Sequence, residues 1–140
     1  MTAVRIGLCC LAMAMAVAAC QHQTPDQQLI RDLGPATSWI ATLDLASESW
    51  LGNRVPSAFM DDSIRAAKTT LDQAMQSVEG SKASAPLRRR VRAQLRTAED
   101  ATGELRGAIH RTDRGAAIRA RARFVSAYQA LHALEEQEQP

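Results

Sequence analysis

LRRRVRAQLRTAEDATGELRGAIHR, residues Leu87–Arg111, places its core-type residues at Leu87, Val91, Leu95, Ala98, Thr102, Leu105 and Ile109. Steps of four and three keep such a series on one side of a 3.6-residue helix, whereas a half-buried strand would alternate. Ser84 stands where an N-cap oxygen is useful, so the stretch predicts a long amphipathic helix ending at about Arg111. Its neighbours have the same period. Upstream, Met60, Ile64, Ala67, Leu71, Ala74 and Val78 predict a helix that begins near Pro56, with Asp61 and Asp62 close to its positive end, and stops at Gly80. Before that, Pro35 opens a helix with Ile40, Leu43 and Trp50 inward and Trp39 and Ala46 flanking, closed by Gly52-Asn53. Downstream, Thr112 or Asp113 caps a last helix with Ile118, Phe124, Val125, Tyr128, Leu131 and Leu134 inward and an acidic end from Glu135 to Glu138.

Four amphipathic helices joined by short loops predict an all-α fold, an antiparallel up-down four-helix bundle spanning residues 35–140. The alternative is a pair of long hairpins that dimerise, because alanine-rich faces allow close approach but bury little area each. No strand pattern and no internal repeat competes.

The amino terminus has a different character. Arg5 precedes Ile6–Ala19, an uncharged run rich in Ala, Met and Leu, which ends in Val17-Ala18-Ala19-Cys20. At about 14 residues the run is short of the ~20 needed to span a bilayer, and Gln21, His22 and Gln23 follow it at once. Val17-Ala18-Ala19-Cys20 resembles the lipobox of bacterial lipoprotein precursors. That resemblance covers the signal region and implies a signal peptide over 1–19, cleavage before Cys20, and lipidation of Cys20 by two or three acyl chains such as palmitate. It also implies that Gln21, where an Asp would favour inner-membrane retention, directs the protein to the outer membrane with its domain in the periplasm. Several acyl chains, at about 0.8 kcal/mol per buried methylene, make anchoring in the bilayer effectively permanent. Cys9 and Cys10 leave with the signal, so no cysteine pair remains for a disulfide or a thiolate metal site.

Residues 20–34 read as the lipidated cysteine and a tether, punctuated by Pro25 and Gly34-Pro35 and able to reach roughly 45 Å if fully extended. Leu29, Ile30 and Leu33 offer the alternative of a short helix over 26–33 docked on the domain.

The formal charge of +2 falls to about +1 without Arg5, but its distribution is uneven. Asp26–Glu79 holds eight acids against four bases, and Leu87–Phe124 holds eleven arginines against four acids. Arg88, Arg92 and Arg96 recur every fourth residue with Arg89 and Arg90 beside them, while Arg119, Arg121 and Arg123 charge the last helix. Guanidinium forks suit carboxylate and phosphate, so Arg88, Arg89, Arg92, Arg96, Arg119 and Arg123 are the candidate contacts to an anion or partner: anionic lipid, anionic wall polymer or an acidic protein. The plainer account pairs them with the acidic first half. Nucleic acid is disfavoured by the exported location and by the lack of interleaved aromatics.

The catalytic and cofactor signals are poor. His132 with Glu135 and Glu136 could offer two metal ligands, yet the carboxylate tetrad of a bundle metal site is missing, and no metal is expected. His132 could also serve haem, but the first helix has no Met and Cys-x-x-Cys-His is absent, so Met60 and Met75 read as core filler and no cofactor is expected. Asp44 and Glu48 lie one turn apart on one face, which does not make the cleft that paired acids need. With no nucleophile, zinc or phosphate-loop motif, no enzyme is expected. Gly103 and Gly107 cost about 1 kcal/mol each relative to Ala and would serve close helix approach, a kink, or nothing. Trp39 and Trp50 read as core, with a partner-anchor role as the alternative.

The expected function is therefore protein contact, as an envelope scaffold or accessory subunit with an envelope protein as partner. A membrane-tethered inhibitor or immunity lipoprotein against an envelope-targeting enzyme fits equally, and binding of anionic lipid or wall polymer through the arginines is the third class.

Overall fold

Five helices make up the computed structural model, which describes residues 23–138: α1 (Pro25–Asp32), α2 (Gly34–Leu51), α3 (Ser57–Gly80), α4 (Ala85–Arg111) and α5 (Arg114–Glu138). The expected signal peptide, Cys20 and His22 lie outside the described residues. Helices α2 to α5 form the antiparallel four-helix bundle that the apolar spacing predicts, each packed on its sequence neighbours, with α2 and α5 closing the ring. Cross-links at both ends fix the antiparallel sense. The Thr37 hydroxyl near the start of α2 lies 3.4 Å from the Glu135 carboxylate near the end of α5, and Arg114 at the start of α5 donates to the carbonyl of Leu51 at the end of α2.

The α3 and α4 stripes are buried as their spacing requires, with Met60, Leu71, Val78, Val91, Leu95 and Leu105 fully enclosed. Thr37, Ser47, Ser63 and Thr102 are also buried, and each hydroxyl donates to the carbonyl four residues earlier, so none is left unsatisfied. The α4–α5 connection is tight. Thr112 takes the left-handed conformation at φ 54°, the N–H of Asp113 returns to the Ala108 carbonyl, and the Asp113 carboxylate accepts from the N–H of Ala116 at 2.9 Å.

Two expectations need correction. In α5, Ile118 and Val125 point outward, at 58% and 36% exposure. The seam is Ala117, Ala120, Phe124, Ala127, Leu131 and Leu134, a regular alternation of three and four that alanines complete and larger residues only punctuate. Tyr128 is partly buried against this core.

The second correction concerns the tether. Thr24 and Gln27 form a reciprocal capping box, each side chain accepting the other's backbone N–H at 3.2 Å, and Pro25 supplies a first-turn φ. α1 follows, and Leu29 and Leu33, each 1% exposed, are sealed against the bundle. Gln27 donates to the Glu138 carbonyl at 3.2 Å, and the N–H of Ser84 donates to the Asp26 carboxylate at 2.6 Å. α1 therefore lies across the end where α2 and α4 begin and α3 and α5 finish. The packed body starts at Thr24 rather than Pro35, four residues after Cys20 in the sequence.

Candidate functional site

The structure divides the six candidate arginines between two sides of α4. Arg119 and Arg123, on α5, both reach Glu104 of α4, with nitrogen-to-oxygen distances of 3.3 Å, so they belong to the α4/α5 junction and share one carboxylate there. Arg88, Arg89, Arg92 and Arg96 lie elsewhere. Counting back along α4 in steps of four and three from His110 gives Arg106, Gly103, Glu99, Arg96 and Arg92, with Arg88 and Arg89 one turn further. Glu99, Gly103, Arg106 and His110 line a groove against α3, so Arg92 and Arg96 continue the α3/α4 face towards the end capped by α1.

Pairing with the acidic first half is realised at Arg121. Its Nε meets Asp44 at 2.6 Å and its Nη2 meets Glu48 at 2.7 Å, clamping α5 to α2. The hydrogen bond that Arg121 donates to Asp44 raises the Arg121 pKa above its ordinary value, with Glu48 acting in the same direction. Asp44 and Glu48 are thus engaged by guanidinium groups, both by Arg121 and Glu48 also by Arg54 at 3.9 Å, and are not a pair of acids facing a substrate. Among the described residues, the ion pairs of α4 involve Glu104 and His110, and none includes Arg88, Arg89, Arg90, Arg92 or Arg96. Arg90 donates to Gln137 at 3.3 Å, and the Nε atoms of half-buried Arg88 and Arg92 have no hydrogen-bond partner among the described residues.

The α3/α4 groove encloses about 350 Å³ over Ile64, Leu71 and Thr102, with Asp61, Arg65, Lys68, Glu99 and Arg106 around it. Burial raises the Glu99 pKa, Asp72 raises it further, and Lys68 and Arg96 oppose both. Gly103 opens this groove. A Cβ built there meets no heavy atom within 4 Å, and one at Gly107 meets only the Arg111 guanidinium, nearest at 3.0 Å, so neither glycine serves close helix approach. Gly103→Ala is accordingly expected to stabilise the fold by about 0.4–1 kcal/mol, read as a higher urea midpoint at an unchanged m-value. A lower midpoint would contradict this assignment.

The remaining candidates resolve simply. His132 sits 3.3 Å from Glu135 and 3.8 Å from Glu136 at an exposed helix end and stacks on Tyr128 at 5.9 Å between ring centres. His110 lies 3.2 Å from Asp61. Among the described residues, no three His, Cys, Asp or Glu side chains come together to hold a metal ion, and no helix is long and apolar enough to cross a membrane. Trp50 is buried and donates its indole N–H to Ser57 at 3.2 Å, while Trp39 is partly buried at the edge of the core.

One surface has no counterpart among the sequence expectations. Leu45 is 64% exposed on α2, adjacent to Asp44, and Ile118 and Val125 flank Arg121 by three and four residues on α5. Ile118 and Val125 therefore lie beside Arg121 on α5, while Leu45, one residue on from Asp44, turns about 100° away from it to the outer side of α2. Their signal in the sequence is that Leu45 falls off the stripe of its helix.

The chain matches no protein-family model, no curated protein and no solved structure.

Proposed function

We propose that this protein is a lipoprotein held in the outer membrane by acylated Cys20, with its bundle in the periplasm, and that it works by protein contact as an envelope scaffold or accessory subunit. The observation that carries the contact reading is the α2/α5 face. There Ile118 and Val125 leave apolar surface in water beside the Arg121–Asp44–Glu48 ion pairs that join α5 to α2, and Leu45 is exposed on the outer side of α2. Isolated apolar residues are ordinary on a surface, but two of them within about a turn of one guanidinium on α5, with a third exposed on the adjoining α2, match the composition of an interface, where apolar residues and Arg are favoured. The lipobox resemblance supports the location. The partner is an envelope protein that buries these side chains.

The test is crosslinking in living cells followed by purification of the full-length protein and mass spectrometry. The double variant Leu45→Asp with Ile118→Asp changes exposed positions, so its stability is expected to stay within about 1 kcal/mol of the unaltered protein. The variant is expected to lose a partner that the unaltered protein recovers in stoichiometric amount. A hydrolase as that partner would select the inhibitor role, and an assembly component would select the scaffold. Equal recovery by both proteins would rule out the α2/α5 face as the contact surface.

A further inference from the structure

We infer that the arginine stripe of α4 docks on the anionic phospholipid headgroups of the membrane that holds Cys20, laying the α3/α4 face against the bilayer. This rests on the lipid-anchor reading above and adds the surface and the ligand chemistry. Four observations converge on it.

The first is concentration without neutralisation. Arg88, Arg89, Arg90, Arg92 and Arg96 fall within the first twelve residues of α4 and take part in none of the ion pairs among the described residues, whereas Arg119, Arg121 and Arg123 are all paired. Arg89 and Arg96 are exposed and open to an external anion, whereas Arg88 and Arg92 are half-buried with their Nε atoms enclosed. The second is local cost. The start of a helix carries partial positive charge and favours acids, yet the first turn of α4 has no acid of its own, the Ser84 side chain makes no capping hydrogen bond, and the single Asp26 carboxylate that α1 sets at the Ser84 N–H offsets only part of the charge of Arg88, Arg89 and Arg90. Stacked like charges there are a burden on the fold that an external anion would relieve.

The third observation is position. Asp26 of α1 binds the N–H of Ser84 at the very start of α4, so the chain leading from Cys20 enters the body beside these arginines. The span from Cys20 to Thr24 is at most about 14 Å, and Arg88 to Arg96 covers about 12 Å along the helix. An anchored bundle therefore carries the stripe within reach of headgroups, which argues for lipid over a more distant wall polymer. The fourth is the arrangement of faces. In the ring of helices, α3/α4 lies opposite α2/α5, so docking through α4 turns Leu45, Ile118 and Val125 away from the bilayer. Phosphodiester headgroups suit guanidinium forks, and an anionic surface draws several such groups at once.

The packed body begins at Thr24, so the chain from residue 20 with Cys20→Ser keeps all of it and is free of the acyl anchor. Its binding is measured by co-sedimentation with vesicles of phosphatidylcholine alone and with three parts in ten of phosphatidylglycerol. Binding is expected to the anionic vesicles only, and to weaken as salt rises. Arg89→Gln with Arg96→Gln is expected to weaken it about thirty-fold, since each guanidinium near the headgroups strengthens binding roughly five-fold. Arg119→Gln with Arg123→Gln, an equal change of charge on the α4/α5 junction, is expected to weaken it less than about three-fold. Unchanged helical circular dichroism and an unshifted melt establish that both variants are folded.

No anionic-vesicle binding, equal losses from the two arginine pairs, or stronger retention on purified wall sacculi than on vesicles would overturn the docking. The two readings fail separately. An acylated Cys20 with no vesicle binding sinks the docking alone, whereas a Cys20 that carries no lipid in cells removes the anchor on which the orientation depends.

Discussion

Phe124→Ala is expected to cost about 3–5 kcal/mol of folding stability, while Val125→Ala, its immediate neighbour, is expected to stay within about 1 kcal/mol of the unaltered protein. Phe124 is fully buried and is the bulkiest of the enclosed core side chains, set among Ala117, Ala120 and Ala127 on its own helix. Those alanines cannot swing in to fill the space it leaves, so the cavity term adds to the lost transfer energy. Val125 is 36% exposed and its truncation opens no enclosed void. Against a total stability of about 5–15 kcal/mol for a domain of this kind, the Phe124 loss would populate the unfolded state measurably. Urea unfolding followed by tryptophan fluorescence, with buried Trp50 as reporter, gives both values. Equal costs at the two positions, or a larger one at Val125, would mean that α5 presents a different face to the core.

The contrast between these neighbours shows where the sequence is legible and where it is not. α3 and α4 are legible because Ile64, Leu71, Val91, Leu95 and Leu105 are large, apolar and spaced by threes and fours, so composition and period give the same answer. In α5 the two signals disagree. Side-chain size favours Ile118 and Val125, but the unbroken period runs through Ala117, Ala120 and Ala127, and packing follows the period because a helix has only one face to turn inward. α1 is half legible: Leu29, Ile30 and Leu33 mark an apolar side, while the reciprocal Thr24–Gln27 cap is hidden within a Gln-rich stretch.

The candidate site is legible in kind but not in pairing. Spacing along α4 places Arg88, Arg92 and Arg96 on one side from sequence alone. That Arg119 and Arg123 share Glu104, or that Arg121 is held by Asp44 and Glu48, depends on the register between helices distant in the chain, which no local pattern encodes. The exposure of Ile118 and Val125 beside the ion pairs that join α2 to α5 emerges only when the two helices are placed side by side.

The second large effect concerns the anchor. Cys20→Ser is expected to leave a protein that carries no lipid and is either released from the membrane or held there as the uncleaved precursor, because serine has no thiol to accept the diacylglyceryl group and no helix among the described residues is long and apolar enough to cross a membrane. Two or three acyl chains contribute more binding energy than any surface contact of the bundle, so their loss outweighs whatever the α4 arginines retain. Fractionation alone is open to the objection that a stalled precursor also sediments with membranes through its uncleaved signal.

The decisive measurement is therefore mass spectrometry of the amino-terminal peptide of the full-length protein extracted from cell envelopes, with the Cys20→Ser form alongside. The expected peptide begins at Cys20 and carries the mass of two or three acyl chains, and the Cys20→Ser protein carries no lipid. An amino terminus at Met1 or at any residue other than Cys20, or an unmodified Cys20 thiol, would contradict the central claim that this bundle works from a lipid anchor.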